Sequence, residues 1–351
     1  MHSNPSVAVV ILSWNGRKFL EQFIPPLLKT TYPNASFHIA DNASSDDTVQ
    51  FVSANFPSIK IIRIEKNYGF AEGYNIALKQ VEADYYVLLN QDVEVPAGWI
   101  EPIIALMEKD KKIAACQSKM LEYDNKERFE YAGATGGFID RHGYAFCRGR
   151  FFKSTEKDNG QYDTVSEIVW ACGACMFIRS KLFHDLGGLD DDFFAHFEEI
   201  DLCWRLKNAG YSIVYCPASV VYHVGGGSLP QGNPKKTYLN YRNNLCALMK
   251  NLPGESIASI LSIRFVLDII SASKLLLSGN WRDYLAIAKA HFYFITRLSK
   301  LMAKRRAAWQ AVEHNKIAPP NRKGFYRGSI IMDYFIRRIR NFSELPPEKF
   351  M

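Results

Sequence analysis

The sequence predicts an α/β fold, a mostly parallel sheet flanked by helices, followed by a helical C-terminal appendage. Three observations carry this. Residues 7–95 alternate between short continuous apolar runs and segments of helical spacing, the pattern of strands covered by helices. The first run, V-A-V-V-I-L at 7–12, is apolar and β-branched, as befits a strand buried on both faces. From about Tyr238 the pattern turns helical to the end, broken at Pro253-Gly254 and Pro319-Pro320.

After the first strand a helix is expected over 17–30, then a second strand over 37–40 ending at Asp41. A helix over 44–56 takes Ser45 or Asp46 as its N-cap. Residues 59–64 form a third strand, 69–81 a helix, and 85–89 a fourth strand ending in Asn90-Gln91-Asp92. Short units of this kind imply right-handed crossovers and ligand binding at the carboxyl ends of the strands. Residues 110–166, irregular and rich in Gly and aromatics, are expected to be strands and loops covering an acceptor site. Residues 168–178 are apolar again, 181–186 and 199–209 are helical, and 212–223 form a strand running into glycines. The expected division is a domain over 1–250 and a basic, amphipathic helical region over 251–351.

Composition narrows the function. The chain has 351 residues, 48% hydrophobic and 13% aromatic, which excludes disorder or a fibrous repeat over most of its length. Its 43 Lys plus Arg outnumber 36 Asp plus Glu, for a net +7. Residues 281–351 hold 15 basic and 5 acidic residues, a local +10, so residues 1–280 carry −3. The N-terminal residues lack the basic and apolar regions of a secretory signal. Seven scattered cysteines fit reduced thiols, and the lone C-x-x-C at 172 and 175 lies in an apolar run that favours burial over metal or redox use. Residues 256–278 are apolar, but Arg264, Asp268 and Lys274 divide them into pieces too short to span a bilayer. An amphipathic helix packed on the body or lying at a membrane surface remains open.

Polar residues stand where each early strand stops: Ser13-Trp14-Asn15, Asp41-Asn42, Glu65-Lys66-Asn67 and Asn90-Gln91-Asp92. In a parallel sheet these ends share one edge and converge on one crevice. Neither G-x-G-x-x-G nor G-x-x-x-x-G-K-[ST] follows the first strand, which removes the fingerprint of dinucleotide oxidoreductases and P-loop NTPases. A nucleoside diphosphate bound without such a loop calls for a metal. Asp92 and His223, each at a strand end, offer a carboxylate and an imidazole that suit manganese. His223 precedes Gly225-Gly226-Gly227 and Ser228, where backbone can approach a phosphate. In H-F-E-E-I-D at 196–201, the acids either compensate a helix dipole or supply a base that takes a proton from a hydroxyl; spacing alone leaves the two level.

Taken together, the motifs resemble the family 2 inverting glycosyltransferases of GT-A (Rossmann-like) fold, especially the rhamnosyltransferase-like branch that builds bacterial surface polysaccharides. The matching pieces, in order, are V-V-I-L-S-W-N-G at 9–16, A-D-N-A-S-S-D-D-T at 40–48, K-N-Y-G-F-A-E-G-Y-N at 66–75, L-L-N-Q-D-V-E-V at 88–95, C-G-A-C-M-F-I-R at 172–179, F-E-E-I-D-L-C-W-R at 197–205 and H-V-G-G-G-S at 223–228. They cover about residues 5–250.

The resemblance implies that Ser13, Asn15 and Asp41 hold a uracil or thymine base and that Asn67, Gly69, Asn75 and Asn90 line the nucleotide. Asp92 matches the last acid of the family's D-x-D element, with Asn90 where the first acid usually stands. With His223 it would hold a divalent metal, manganese or magnesium. Glu199 matches the catalytic base, a glutamate in place of the usual aspartate, with Glu198 and Asp201 as neighbours. Trp170, Gly173 and Ala174 fall where the family forms the acceptor floor, and Arg242-Asn243 resemble a terminal R-N element. The implied activity is inverting transfer of a sugar, rhamnose among the candidates, from a UDP- or dTDP-sugar to a hydroxyl of a glycan or lipid-linked glycan.

A processive synthase would carry a Q-x-x-R-W element and membrane-spanning helices, and a nucleotidyltransferase a basic Gly-rich loop; neither is present in the sequence. A catalytically silent nucleotide-sugar binding protein is the alternative outside the enzymes. The basic tail carries Lys304-Arg305-Arg306 and Arg337-Arg338-Ile339-Arg340 without any nucleic-acid-binding signature. Its basic, aromatic helices fit the surface of an anionic bilayer, with a solvated positive face as the plainer reading. The expected location is cytoplasmic, peripheral on the inner face of the cytoplasmic membrane.

Overall fold

The computed structural model describes residues 4–152, 154–225 and 232–351. The early strands are β1 (Val7–Ser13), β2 (Ala35–Asp41), β3 (Lys60–Arg63), β4 (Tyr85–Asn90) and β5 (Val93–Glu94), and the helices between and after them are α1 (Arg17–Leu27), α2 (Thr48–Asn55), α3 (Gly69–Leu78) and α4 (Glu101–Lys109). The middle of the chain supplies β6 (Ile113–Glu122), β7 (Gly137–Asp140), β8 (Ala145–Cys147), β9 (Arg150–Phe151), β10 (Ser154–Thr155), β11 (Ser166–Ile168) and β12 (Cys175–Arg179). Then come α5 (Ser180–Asp185), α6 (Glu198–Asn208), β13 (Ser212–His223), α7 (Pro234–Asn251), α8 (Gly254–Leu277), α9 (Trp281–Thr296), α10 (Leu298–His314), β14 (Phe325–Tyr326) and α11 (Ile330–Phe335).

Strand β1 lies inside the main sheet because six of its seven residues are buried, leaving no solvated face. The strand order is β11-β13-β6-β12-β4-β1-β2-β3, with β5 joined to β13. Strands β1, β2, β3 and β4 run parallel, as their apolar runs predict, with Ser13 level with Asp41 and Leu12 level with Asn90. Strand β12 is antiparallel to both β4 and β6, and β13 is parallel to β6, so the ends of β4 and β13 and the start of β12 reach one edge. That edge gathers the site.

Two expectations are corrected. Residues 110–166 are not mainly irregular: β6 is a ten-residue strand in the sheet, buried along nine of them. Its Q-S-K interruption is compensated inside, since Gln117 donates to Gly133 O at 2.9 Å and accepts from Cys172 N at 2.8 Å, and Lys119 pairs with Asp158 at 2.7 Å. Nor does the chain stay helical to its end. Strand β14 joins a second sheet, β10-β9-β8-β7-β14, and Phe342 and Phe350 pack on Phe138 there.

All seven cysteines are free and buried, in line with the apolar setting of the C-x-x-C pair. Among the described residues no helix is long and apolar enough to cross a membrane. Helices α8 to α10 form the helical C-terminal region, with α7 packed against α9 and α10.

Candidate functional site

The loops after β1, β2 and β3 are tied to one another by side chains that sequence nominates. Asn15 adopts φ 49°, a left-handed conformation that asparagine tolerates, and its Oδ1 accepts from Ser45 N at 2.8 Å. Both oxygens of Asp41 accept from Ser44 N at 3.3 Å. Ser13 Oγ donates to Gln91 Oε1 at 2.8 Å, joining the end of β1 to the segment after β4. Asn42 donates to Asn67 Oδ1 at 3.1 Å and to Gly69 O at 3.0 Å. Gly69 has φ +80°, and a Cβ there would stand 2.5 Å from the Phe194 ring, so the position requires glycine. Asn75 is placed differently. Its amide is engaged on both sides with the backbone of Leu189, at 2.8 and 3.0 Å, holding α3 to the segment before α6. Trp14 is 50% exposed at this edge, and an exposed indole face can stack on a planar base.

Asp92 and His223 meet at this edge. His223 Nε2 lies 3.2 Å from Asp92 Oδ1 and 3.4 Å from the Asn90 amide nitrogen. Its Nδ1 lies 3.3 Å from Glu130 Oε1, and Asp92, Glu130 and His223 are all buried. Two ligands at right angles on a divalent ion with bonds of about 2.1 Å stand about 3.0 Å apart. The Asp92–His223 spacing fits such an ion, and carboxylate oxygen with imidazole nitrogen is a donor set suited to manganese. Burial opposes charge on His223, but Glu130 and Asp92 outweigh it and push the imidazole up to about 10. A proton therefore holds Nε2 until a cation displaces it. Glu130 is the residue that sequence reading missed: it comes from the loop after β6, and only the fold places it behind the histidine, where a carboxylate orients a metal-ligating ring. Of the glycine run, Gly226, Gly227 and Ser228 lie outside the described residues.

Glu198 and Glu199 open α6. Burial pushes both carboxyls up, Glu198 well above the ordinary range with the Glu199 charge adding to it, and Glu199 to about 7 against the backbone amides of its own turn and of Gly173. Burial thus favours the neutral form of both carboxyls, and the Glu199 charge weighs further against ionising Glu198. Glu198 Oε2 and Glu199 Oε2 are buried without hydrogen-bond partners among the described residues. The turn before them is strained: Phe194, His196 and Phe197 have φ of 62°, 72° and 74°. Asn243 holds that turn, its amide donating to the carbonyls of Phe193 at 3.0 Å, Ala195 at 2.9 Å and His196 at 2.6 Å. Arg242 donates to Asp192 O at 2.7 Å and Phe193 O at 3.0 Å. The R-N element is a clamp on the approach to Glu199.

The expected acceptor floor divides. Gly173 sits against the helix, where a Cβ would meet Phe70 Cζ at 3.0 Å and Glu199 Cβ at 3.8 Å, and Ala174 O accepts from Asn90 N at 2.9 Å. Trp170 is turned into the core, its indole donating to Phe138 O at 3.1 Å beneath Gly137. Asp201 also points inward, accepting from Lys250 at 2.9 Å and Asn251 at 2.7 Å and pairing with Arg205 at 2.8 Å. A second acidic cluster, Asp190 to Asp192, has ligand atoms close enough to hold a cation. Lys250, Lys300 and Lys304 already fill that role, at 2.5 to 2.8 Å.

Comparisons with known proteins agree with this geometry. Residues 8–187 match the model of glycosyl transferase family 2. An uncharacterized protein, y4gI, of Sinorhizobium fredii is 26% identical over 236 residues, 64% of this chain and 25% of its own length. An N-acetylglucosaminyl-diphospho-decaprenol L-rhamnosyltransferase of Mycobacterium tuberculosis is 24% identical over 231 residues, 61% of this chain and 75% of its own. Among solved structures, GalNAc-T7 with UDP, GalNAc and Mn2+ superimposes with a TM-score of 0.57 at 17% identity, over 71% of this chain and 48% of that one. That last likeness concerns the fold, a GT-A sheet flanked by helices. With the family model covering more than half of the chain, and the strand-end residues gathered as described, this protein belongs to glycosyl transferase family 2.

Proposed function

We propose that the protein is an inverting glycosyltransferase that moves a sugar, rhamnose being the leading candidate, from a UDP- or dTDP-sugar to a hydroxyl of a lipid-linked glycan in surface polysaccharide synthesis. The observation that carries this is Glu199: a carboxyl near pKa 7, on a strained turn, at the edge that also holds Asp92 and His223. Ionised Glu199 takes the proton of the acceptor hydroxyl. The oxygen then attacks the anomeric carbon, and the bond to the diphosphate breaks on the opposite face, inverting configuration. Ser13, Asn15, Asp41 and Trp14 orient the base, while Asn67 and Gly69 line the nucleotide. Asp92 and His223, backed by Glu130, would hold a divalent cation that neutralises charge on the departing diphosphate. The mycobacterial relative's lipid-linked substrate supports the acceptor class, and with it a peripheral station on the inner face of the cytoplasmic membrane. The test is acceptor-dependent release of nucleoside diphosphate from UDP- and dTDP-sugars with manganese present, with the anomeric configuration of the product read by NMR. Retention of configuration, or donor turnover indifferent to acceptor, would overturn the proposal.

A further inference from the structure

The helical region carries an inverted helix. Along α8 the buried residues are Arg264, Asp268 and Ala272, one stripe at four-residue spacing. Arg264 stacks 3.8 Å over the Tyr144 ring, and Asp268 receives His291 at 3.1 Å and Tyr144 at 3.2 Å. The opposite face shows Val266, Ile269, Ile270 and Leu277 at 58%, 61%, 59% and 89% exposure, and α9 beside it shows Phe292 at 69% and Ile295 at 60%. A helix that pairs its charges inside and turns its aliphatics outward is built for an apolar outer medium.

Charge says which medium. Between residues 256 and 298 the acids are Asp268, buried against α9, and Asp283, which accepts from Thr237 at 2.6 Å. Lys274, Arg282, Lys289 and Arg297 stand exposed around the apolar face, and none makes an ion pair among the described residues. Arg282, Lys289 and Arg297 also line a groove of about 630 Å³ between α7 and α9. That groove begins at Lys235, whose ammonium lies 4.6 Å from the Phe194 ring on the strained turn before Glu199. Meanwhile the basic runs at 304–306 and 337–340 are occupied in part, with Arg306 and Arg338 exposed. Lys304 is held by Asp190 to Asp192, Arg305 by the carbonyls of Met249 and Leu252, and Arg337 by Asp333.

We propose that the outward face of α8 and α9 docks on an anionic bilayer, its aliphatic and aromatic side chains entering the interface and Lys274, Arg282, Lys289 and Arg297 meeting lipid phosphates. This rests on the lipid-linked acceptor reading above and locates the contact.

The test is sedimentation of the full chain with vesicles of phosphatidylcholine alone and of equimolar phosphatidylcholine and phosphatidylglycerol. The anionic vesicles should bind the protein and release it in high salt. Lys289→Gln with Arg297→Gln should weaken binding roughly 25-fold, about fivefold per cation. Phe292→Asp with Ile295→Asp should weaken it at least tenfold, and both pairs should keep the wild-type melting temperature because the sites are exposed. Transfer to a water-soluble glycan acceptor should stay within twofold in both pairs. Absence of transfer in every protein, with vesicle binding intact, would fail the enzymatic reading and leave the surface standing. Equal binding to neutral and anionic vesicles, insensitivity to both pairs, or a stable dimer that Phe292→Asp converts to monomer would overturn the docking surface.

Discussion

Replacing Glu199 by glutamine removes the proton acceptor and changes little else in shape. A positioned general base contributes roughly 10²- to 10⁴-fold, about 3–5 kcal/mol of barrier, and transfer should fall by that factor while nucleotide affinity stays within threefold. The wild-type pH dependence gives a second reading. With Glu199 near 7, transfer should climb about tenfold per pH unit below that value, reach roughly a tenth of its plateau at pH 6, and level off above 8. Stability should move the other way. Folding raises this carboxyl from 4.5 to about 7, so the native state favours the protonated form. Native stability is fully present below the unfolded value and declines as pH rises through the folded one, by at most about 3 kcal/mol at 1.36 kcal/mol per pH unit. Glutamine does not ionise, so Glu199→Gln should melt a few degrees above wild type at pH 8 and level with it near pH 4. The assays are initial-rate transfer from pH 5.5 to 9 and thermal melts at both extremes. Wild-type rates in the variant, or a flat pH profile in the parent, would refute the assignment of Glu199 as base.

Other perturbations separate the remaining parts of the site. His223→Ala should abolish the manganese dependence of donor binding, and Glu130→Gln, acting behind the imidazole, should weaken manganese affinity about 10- to 100-fold; isothermal titration with the metal measures both. Asn243→Ala frees three carbonyls of a turn whose left-handed residues each cost on the order of 1–3 kcal/mol, so kcat should drop at least tenfold with a smaller change in nucleotide Kd. Asp190→Asn takes from Lys250 and Lys304 the partner they share, leaving Asp201 to the first and Asp191 and Asp192 to the second, and should cost about 1–3 kcal/mol in urea denaturation. Although burial opposes it, those lysines hold the Asp190 carboxyl below the ordinary range, so its contribution is present at neutral pH and lost on strong acidification.

The parallel half of the sheet was legible because nothing in it needs compensation: V-A-V-V-I-L and Y-Y-V-L-L are strands on apolar content alone, and their polar ends mark the edge. Strand β6 was obscured by Gln117, Ser118 and Lys119, whose partners lie 16 to 101 residues away and leave no local trace. The same reason hid Glu130, which faces a histidine 93 positions downstream. Asn75, Trp170 and Asp201 sit inside matching motifs, yet their side chains face Leu189, Phe138 and Lys250, because a motif fixes a place along the chain and not the direction in which a side chain is turned. Helix α8 is a related case: Arg264, Asp268 and Lys274 divide an apolar run into pieces too short to cross a bilayer, and in the fold the first two form its inward face.

The segment from Asp190 to Phe197 joins these observations. Its first three residues are gripped by Lys250, Lys300 and Lys304, its carbonyls by Arg242 and Asn243, and Phe194 O accepts from Phe70 N at 2.6 Å at the start of α3. Two of those lysines belong to α10, inside the stretch that carries the sequence's +10 surplus. The surplus is therefore divided. One part is neutralised within the protein and holds the segment that precedes Glu199, and another, on α9, is exposed and makes no ion pair among the described residues. Helix α10 follows α9 directly, so the exposed face of α9 and the lysines that grip the three aspartates stand on adjoining helices. Removing residues 251–351 would leave Asp190 with Lys250 alone and take two of the three lysines from the segment that precedes Glu199, so the helical region is tied to the candidate site and is more than an appendage to it.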